Sequence, residues 1–108
     1  MAFTLNRHKS EELLRAVDPD VTGADLVSLA SSRDNAVKAA LAARLDCPMA
    51  SMFSLAQEND QKILEALARN PSAPRGVVVH LAQNRRPQVR DLALKRLEDA
   101  GETAPEAG

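Results

Sequence analysis

The sequence predicts an all-α domain made of stacked helical repeats, and three observations support this prediction. Apolar residues return at a constant step of 26 positions, which is the sequence signature of a repeat architecture. No segment of strand length shows the alternation of apolar and polar residues that is typical of a β-strand. The 108 residues are 44% hydrophobic but only 2% aromatic. A chain of this length forms one domain, and its core must be built from Ala, Leu and Val, which suit closely spaced helices.

Several aligned columns define the repeat, and they hold leucine with alanine, branched aliphatic residues, and proline. The columns are Leu29-Ala30, Leu55-Ala56 and Leu81-Ala82; Val37, Ile63 and Val89; Ala40, Ala66 and Leu92; Leu41, Leu67 and Ala93; and Pro48 and Pro74. Their common step predicts about three repeats of 26 residues between positions 24 and 97.

Residues 1–23 are expected to form an N-terminal capping segment. Its helix, from Ser10 to Val17, matches the second half of a repeat if one residue is inserted near Asp18-Pro19-Asp20. At the other end, residues 98–108 carry four acids and no base, and this composition predicts a disordered acidic tail.

Each repeat is predicted to contain two helices. The first helices are expected at about 24–31, 49–57 and 75–83, and the second helices at about 35–44, 61–69 and 87–97. Asp34 and Asp60 precede two of the second helices, and aspartate is a preferred N-cap. Arg86 shares their column and is followed by Pro87, which is tolerated at the first helical position.

Two local patterns complete the prediction of the helices. In the stretch from 70 to 74, Asn70 suits a left-handed position at a helix end, Pro71 prevents the helix from continuing, and Ser72 can cap the next helix. The β-branched run at 77–79 aligns with helix-like segments of the other repeats, so we interpret it as helical.

The columns resemble the leucine-rich repeat variant family. The resemblance rests on LAxxxDxxVxxALAxxxxCP in the first repeat, LAQENDQKILEALARNPSAP in the second and LAQNRRPQVRDLALKRL in the third. It implies alternating α and 3₁₀ helices in a right-handed superhelix without β-sheet, over about residues 24–97. HEAT-like or armadillo-like helical repeats are the structural alternative.

The residues that could support catalysis are few, so we predict that the protein is not an enzyme. Cys47 is the single cysteine, and its position before Pro48 at a helix start could lower its pKa. Its repeat equivalent is Ala73, which favours a packing role. His80 shares a polar column with Ser28 and Ser54, and we expect it on a helix surface. We predict no catalytic, metal-binding or cofactor-binding residues, and no cofactor, because the glycines are scattered and the histidines have no partners.

Charge is distributed unevenly, and this feature carries the prediction of a binding surface. Residues 69–96 contain seven bases and one acid. The candidate binding surface consists of Leu64, Arg69, Arg75, Arg85, Arg86, Arg90, Lys95 and Arg96. The bases could coat a solvated face, contact an acidic protein or the chain's own acidic tail, or hold phosphates. Leu64 aligns with Lys38 and Arg90, so we expect it to be exposed, either as a single apolar residue or at the centre of a contact.

Protein–protein interaction is the predicted function, and nucleic-acid binding through the basic third repeat is the alternative. Nucleic-acid binding is expected to be weak, because this region has no aromatic residue to stack on bases. A second copy or a larger protein is expected to cover the last repeat. The absence of a signal peptide and of a long apolar run predicts a cytoplasmic protein without membrane contact. Ten arginines against four lysines suggest a bacterial genome.

Overall fold

The computed structural model describes residues 11–100, and every regular element among them is an α-helix. The helices are α1 (residues 11–17), α2 (Ala24–Leu29), α3 (Asn35–Ala42), α4 (Met49–Leu55), α5 (Gln61–Arg69), α6 (Arg75–Leu81) and α7 (Pro87–Asp99). The predicted all-α class is confirmed for these residues, including the helical 77–79 segment. None of the helices in this part of the chain is long and apolar enough to cross a membrane.

The second helices begin where the sequence predicts. The side chain of Asp34 accepts a hydrogen bond from the backbone N–H of Ala36 at 2.9 Å. Asp60 accepts two such bonds from the first turn of α5, at 3.0 and 3.1 Å. These bonds satisfy N–H groups that have no partner within the helix. Pro87 occupies the start of α7, as expected.

The first helices, α2, α4 and α6, are α-helical and close with a tighter turn. After α2, the N–H groups of Ser31 and Ser32 donate to carbonyls three residues earlier, at 3.1 and 3.0 Å. The same bonds follow α4 and α6. The resemblance implies a layer of 3₁₀ helices, whereas every regular element of residues 11–100 is an α-helix and bonds from residue i to i−3 occur at helix ends and in turns.

The connection between α5 and α6 differs from its prediction. Asn70 has an extended backbone, with φ −78° and ψ 114°, and not a left-handed one. Ser72 does not cap α6, whose N-cap position is taken by Pro74. The Asn70 side chain stabilises the turn instead, since its Oδ1 accepts from the N–H of Ser72 at 2.8 Å.

A polar position recurs every 26 residues at the end of each second helix, and we call Arg44, Asn70 and Arg96 the donor ladder. Asn70 Nδ2 donates to the carbonyls of Ala42 and Arg44, both at 2.8 Å. Arg96 Nη1 donates to the carbonyls of Ala68 and Asn70, at 3.1 and 2.6 Å. Each donor thus reaches carbonyls 28 and 26 positions earlier, at the end of the preceding second helix.

Helix α1 is joined to the structure by the same geometry. Arg44 Nη1 donates to the carbonyls of Ala16 and Asp18, at 2.9 and 2.7 Å, which are again 28 and 26 positions earlier. Ala16 is fully buried. These two contacts keep the 26-residue step at the end of α1, whereas Glu11 and Arg15, which stand 26 positions before the buried Val37 and Leu41, are exposed.

The core lies between the two sets of helices and is aliphatic. Val37, Ile63 and Val89 are each 0% exposed, which confirms that their column is buried. Helix α5 packs between α3 and α7, and it also contacts α4 and α6. The central second helix is therefore covered on more sides than the other two.

The ends of the described structure correct one predicted boundary. Helix α7 continues to Asp99, so Glu98 and Asp99 are helical and do not belong to a disordered tail. Of the predicted N-terminal cap, residues 11–17 are helical. Residues 1–10 and 101–108 lie outside the described part.

Candidate interaction surface

Cys47 is a buried packing residue. Its side chain lies in the core at 6% exposure, as does that of its repeat equivalent Ala73 at 8%. Burial raises the pKa of the Cys47 thiol to about 11, with a smaller contribution from the charge of Asp46. The group is therefore a protonated thiol at neutral pH and a poor nucleophile.

His80 lies on the exposed side of α6, and its column partners Ser28 and Ser54 are exposed as well. This confirms the predicted surface column. Within residues 11–100, no three His, Cys, Asp or Glu side chains come close enough together to hold a metal ion.

Leu64 is buried at 1% exposure, so the prediction that it is an exposed contact residue is wrong. Its column faces the following repeat, because Lys38, at the same position in α3, pairs with Glu58 at 3.1 Å. At the equivalent position of α5, Leu64 is buried, and the next of the second helices, α7, packs against α5. The buried stripe of α5 therefore includes Leu64 beside Ile63.

Two of the predicted surface bases hold the structure together. Arg96 belongs to the donor ladder, and Arg86 Nη2 donates to the carbonyl of Asn59 at 3.1 Å. Both side chains are only partly exposed. Because their guanidinium groups donate to backbone carbonyls, fewer of their N–H groups are available to bind a partner.

The other five bases do not form one continuous patch. Arg85 and Arg90 lie near the start of α7, while Arg69 and Lys95 lie near the ends of α5 and α7. Arg90 and Lys95 are five residues apart, which corresponds to a helix rise of about 7.5 Å and a rotation of about 140° around the axis of α7. Arg90 lies 3.3 Å from Asp91, Arg69 lies 3.8 Å from Glu65, and Arg75 is exposed at the start of α6. The predicted basic surface is thus divided between the two ends of α7.

A second surface consists of the exposed sides of α2, α4 and α6, and we call it the first-helix face. Val27, Met49 and Phe53 are 51%, 63% and 44% exposed on it. The chain positions around them hold small or polar uncharged residues, namely Ala24, Ser28, Ala50, Ser54, Gly76 and His80. Two charged residues also belong to it: Asp25, which pairs with Arg15 at 3.5 Å, and Arg75, which begins α6 at the position equivalent to Met49.

The first-helix face was not predicted, although the sequence contains a signal for it. Val27, Phe53 and Val79 stand 26 residues apart and form an apolar column. All three lie outside the fully buried core: Val27 and Phe53 are exposed, and Val79 is partly exposed. An exposed apolar column on a surface with few charges is a typical interaction surface.

Comparison of the chain with protein-family models, with curated proteins and with solved structures finds no match.

Proposed function

We propose that this chain is a non-catalytic helical-repeat module that binds another protein through the first-helix face. We also propose that residues 24–97 form a solenoid of three 26-residue repeats, similar to the leucine-rich repeat variant family, with the right-handed sense that this resemblance implies. The donor ladder and the packing of α5 between α3 and α7 support the stacked arrangement. A single buried cysteine suits a reducing compartment, and we propose a bacterial cytoplasm.

The observation that carries the proposed function is the contrast between the two helical layers. The first-helix face exposes Val27, Met49 and Phe53 without a charge among them. The outer side of the second helices exposes charged residues such as Lys62 and Asp91. Protein interfaces are depleted of charge at their centre and enriched in aromatic residues and Met, so the first-helix face has the composition of an interface.

Nucleic-acid binding is less well supported. Arg86 and Arg96 already donate to backbone carbonyls, and the remaining bases of the third repeat are divided between the ends of α7. Single-stranded nucleic acid is bound by basic grooves that also carry aromatic side chains. Among residues 11–100, the exposed aromatic residue Phe53 lies instead on the first-helix face, which carries few charges.

The test compares charged substitutions on and off this face. The double variant Val27→Lys/Met49→Lys places two charges on the first-helix face at positions that are already more than half exposed, so the fold should tolerate it. Leu45→Lys is the control, because Leu45 is 65% exposed outside this face. Tagged full-length chains are expressed in the native cell, cross-linked and purified.

We expect the wild type and Leu45→Lys to retain the same partner protein. The amount of that partner recovered with the double variant should be at least tenfold lower. Retention of that partner by the double variant, or loss of it only on Arg85→Glu, would overturn the assignment to the first-helix face. Recovery of nucleic acid and no protein would overturn the proposed function.

A further inference from the structure

The first-helix face contains an open groove between α2 and α4. It is lined by Val27, Ala30, Ser31, Ala50, Ser51 and Ser54, and its volume is about 200 Å³. An engineered protein cavity of roughly 150 Å³ is large enough to bind benzene. The groove therefore has room for an aromatic ring.

The chain itself shows what fills the equivalent position one repeat later. Phe53 stands 26 residues after Val27, and Gly76 stands 26 residues after Ala50. The Phe53 ring lies over Gly76, so that a Cβ at Gly76 would be 3.4 Å from Cε1 and Cζ of the ring. We call the corresponding space between α4 and α6 the second groove. In it, the phenyl ring of Phe53 in α4 rests on Gly76 in α6.

The first groove is open because most of its side chains are smaller than their equivalents. Val27 corresponds to Phe53, Ser31 to Gln57, and Ser54 to His80. The floor residue Ala50 corresponds to Gly76, so it is larger by only one methyl group. The ring that closes the second groove therefore has no counterpart in the first.

The chemistry of the lining selects an uncharged occupant. All six lining residues are apolar or hydroxyl-bearing, and a charge buried against them would have no ionic partner. Three other grooves in residues 11–100 each contain an arginine, namely Arg44, Arg69 with Arg96, or Arg75 with Arg96. The serine hydroxyls can donate to and accept from a peptide backbone beside the ring.

We propose that the groove between α2 and α4 binds one uncharged aromatic side chain of a partner polypeptide, in the position that Phe53 occupies in the next groove. This inference rests on the proposed function, and it specifies the partner as a segment that presents a phenylalanine-like residue without neighbouring charges. Val27 and Met49, both exposed, supply further apolar contact along the same face.

The test fills the groove from within. The variant Val27→Phe/Ala50→Gly copies the Phe53 and Gly76 pair, so it should fold like the wild type, which thermal unfolding followed by circular dichroism checks. Leu45→Phe is the control, since it adds a phenyl ring at an exposed site outside the groove. The probe is N-acetyl-phenylalanine amide, titrated into the ¹⁵N-labelled full chain, with N-acetyl-lysine amide for comparison.

We expect the aromatic probe to shift the amide signals of Ala30, Ala50 and Ser54 in the wild type and in Leu45→Phe. The filled variant should bind it at least tenfold more weakly, and the lysine probe should give no saturable shift. Equal binding to the filled variant, or no binding to the wild type, would overturn the inference.

Two further results would assign the groove to a different occupant and also overturn the inference. A tenfold gain in probe affinity on Phe3→Ser would make the chain's own N-terminal segment the occupant. A wild-type dimer in sedimentation equilibrium that the filled variant abolishes would make it a second copy. The cross-linking assay separates this inference from the proposed function: a partner lost by Val27→Lys/Met49→Lys but kept by the filled variant leaves the first-helix face as the interface and refutes the aromatic groove.

Discussion

The donor ladder gives the sharpest test of how the repeats are joined, and Asn70 is its central member. The side chain is 2% exposed and makes three hydrogen bonds, each 2.8 Å long, to the carbonyls of Ala42 and Arg44 and from the N–H of Ser72. A buried hydrogen bond contributes about 1 kcal/mol net, and an orphaned partner costs about 1–3 kcal/mol. Asn70→Ala should therefore destabilise the domain by about 3 kcal/mol.

The ladder also predicts which replacement restores stability. Arg44 and Arg96 make the same pair of carbonyl contacts from equivalent positions. Asn70→Arg should therefore recover most of the loss, leaving about 1 kcal/mol for the missing bond to Ser72. Asn59→Ala is the control, since Asn59 is exposed, and surface substitutions usually change stability by less than about 0.5 kcal/mol.

Asn70→Asp has nearly the same shape as the native side chain but places a carboxylate against two carbonyl oxygens. Its folded pKa should rise above the unfolded value, because only the protonated form can donate to a carbonyl. Any stability recovered by protonation is then fully present below the unfolded pKa and lost as pH rises through the folded pKa. The aspartate variant should be closer to the wild type at pH 4 than at pH 7.

Urea unfolding followed by circular dichroism at 222 nm measures all four variants. The proposed role of the donor ladder is refuted if Asn70→Ala lowers the free energy of unfolding by less than about 1 kcal/mol, which is the contribution of a single hydrogen bond. It is equally refuted if Asn70→Arg is as unstable as Asn70→Ala, because the three positions would then not be equivalent.

Three further predictions concern the core, the thiol and the bases. Ile63→Asp buries an unpaired charge at a 0% exposed position and should unfold the domain in circular dichroism, whereas Lys62→Asp on the exposed side of α5 should melt like the wild type. Burial raises the Cys47 pKa from 9.0 to about 11, so the stability contributed by the buried protonated thiol is present below pH 9 and is lost as pH rises through 11. Cys47→Ala should remove this alkaline loss of stability, measured by urea unfolding, and should change the stability little at pH 7. Duplex DNA should bind only weakly at about 150 mM salt in fluorescence anisotropy, and Arg85→Glu/Lys95→Glu should abolish that binding, while submicromolar binding would restore the nucleic-acid proposal.

The helices and their starting points could be predicted because they depend on local chemistry. Aspartate before a helix and proline at its first turn act within three residues, so the starts of α3, α5 and α7 follow from the sequence alone. Asn70 was misinterpreted for the opposite reason. Its nearest partner in the chain is Ser72, but its other two partners lie 26 and 28 residues away, and a local pattern contains no information about them.

The candidate surface was predicted less well because the repeat period shows which residues are equivalent but not which way they face. Leu64 was expected to be exposed because it aligns with Lys38 and Arg90. The Lys38 contact with Glu58 shows that this column faces the helices that follow in the chain. The column is therefore buried at Leu64 but exposed at Arg90. By contrast, Val27 and Phe53 belong to a column that faces solvent and remains apolar.

The column of Lys38, Leu64 and Arg90 also shows how the last helix, α7, is exposed to water. In α5 the position holds Leu64, which is buried, whereas in α7 it holds Arg90, which is exposed beside Asp91. Terminal repeats need a polar outer side, and charged residues at the position where a further helix would pack provide one. Arg90 and Asp91 place charges on the exposed side of α7, at the position where a further helix would pack. Val27, Met49 and Phe53 lie on α2 and α4 instead, so these charges leave the apolar side chains of the first-helix face exposed.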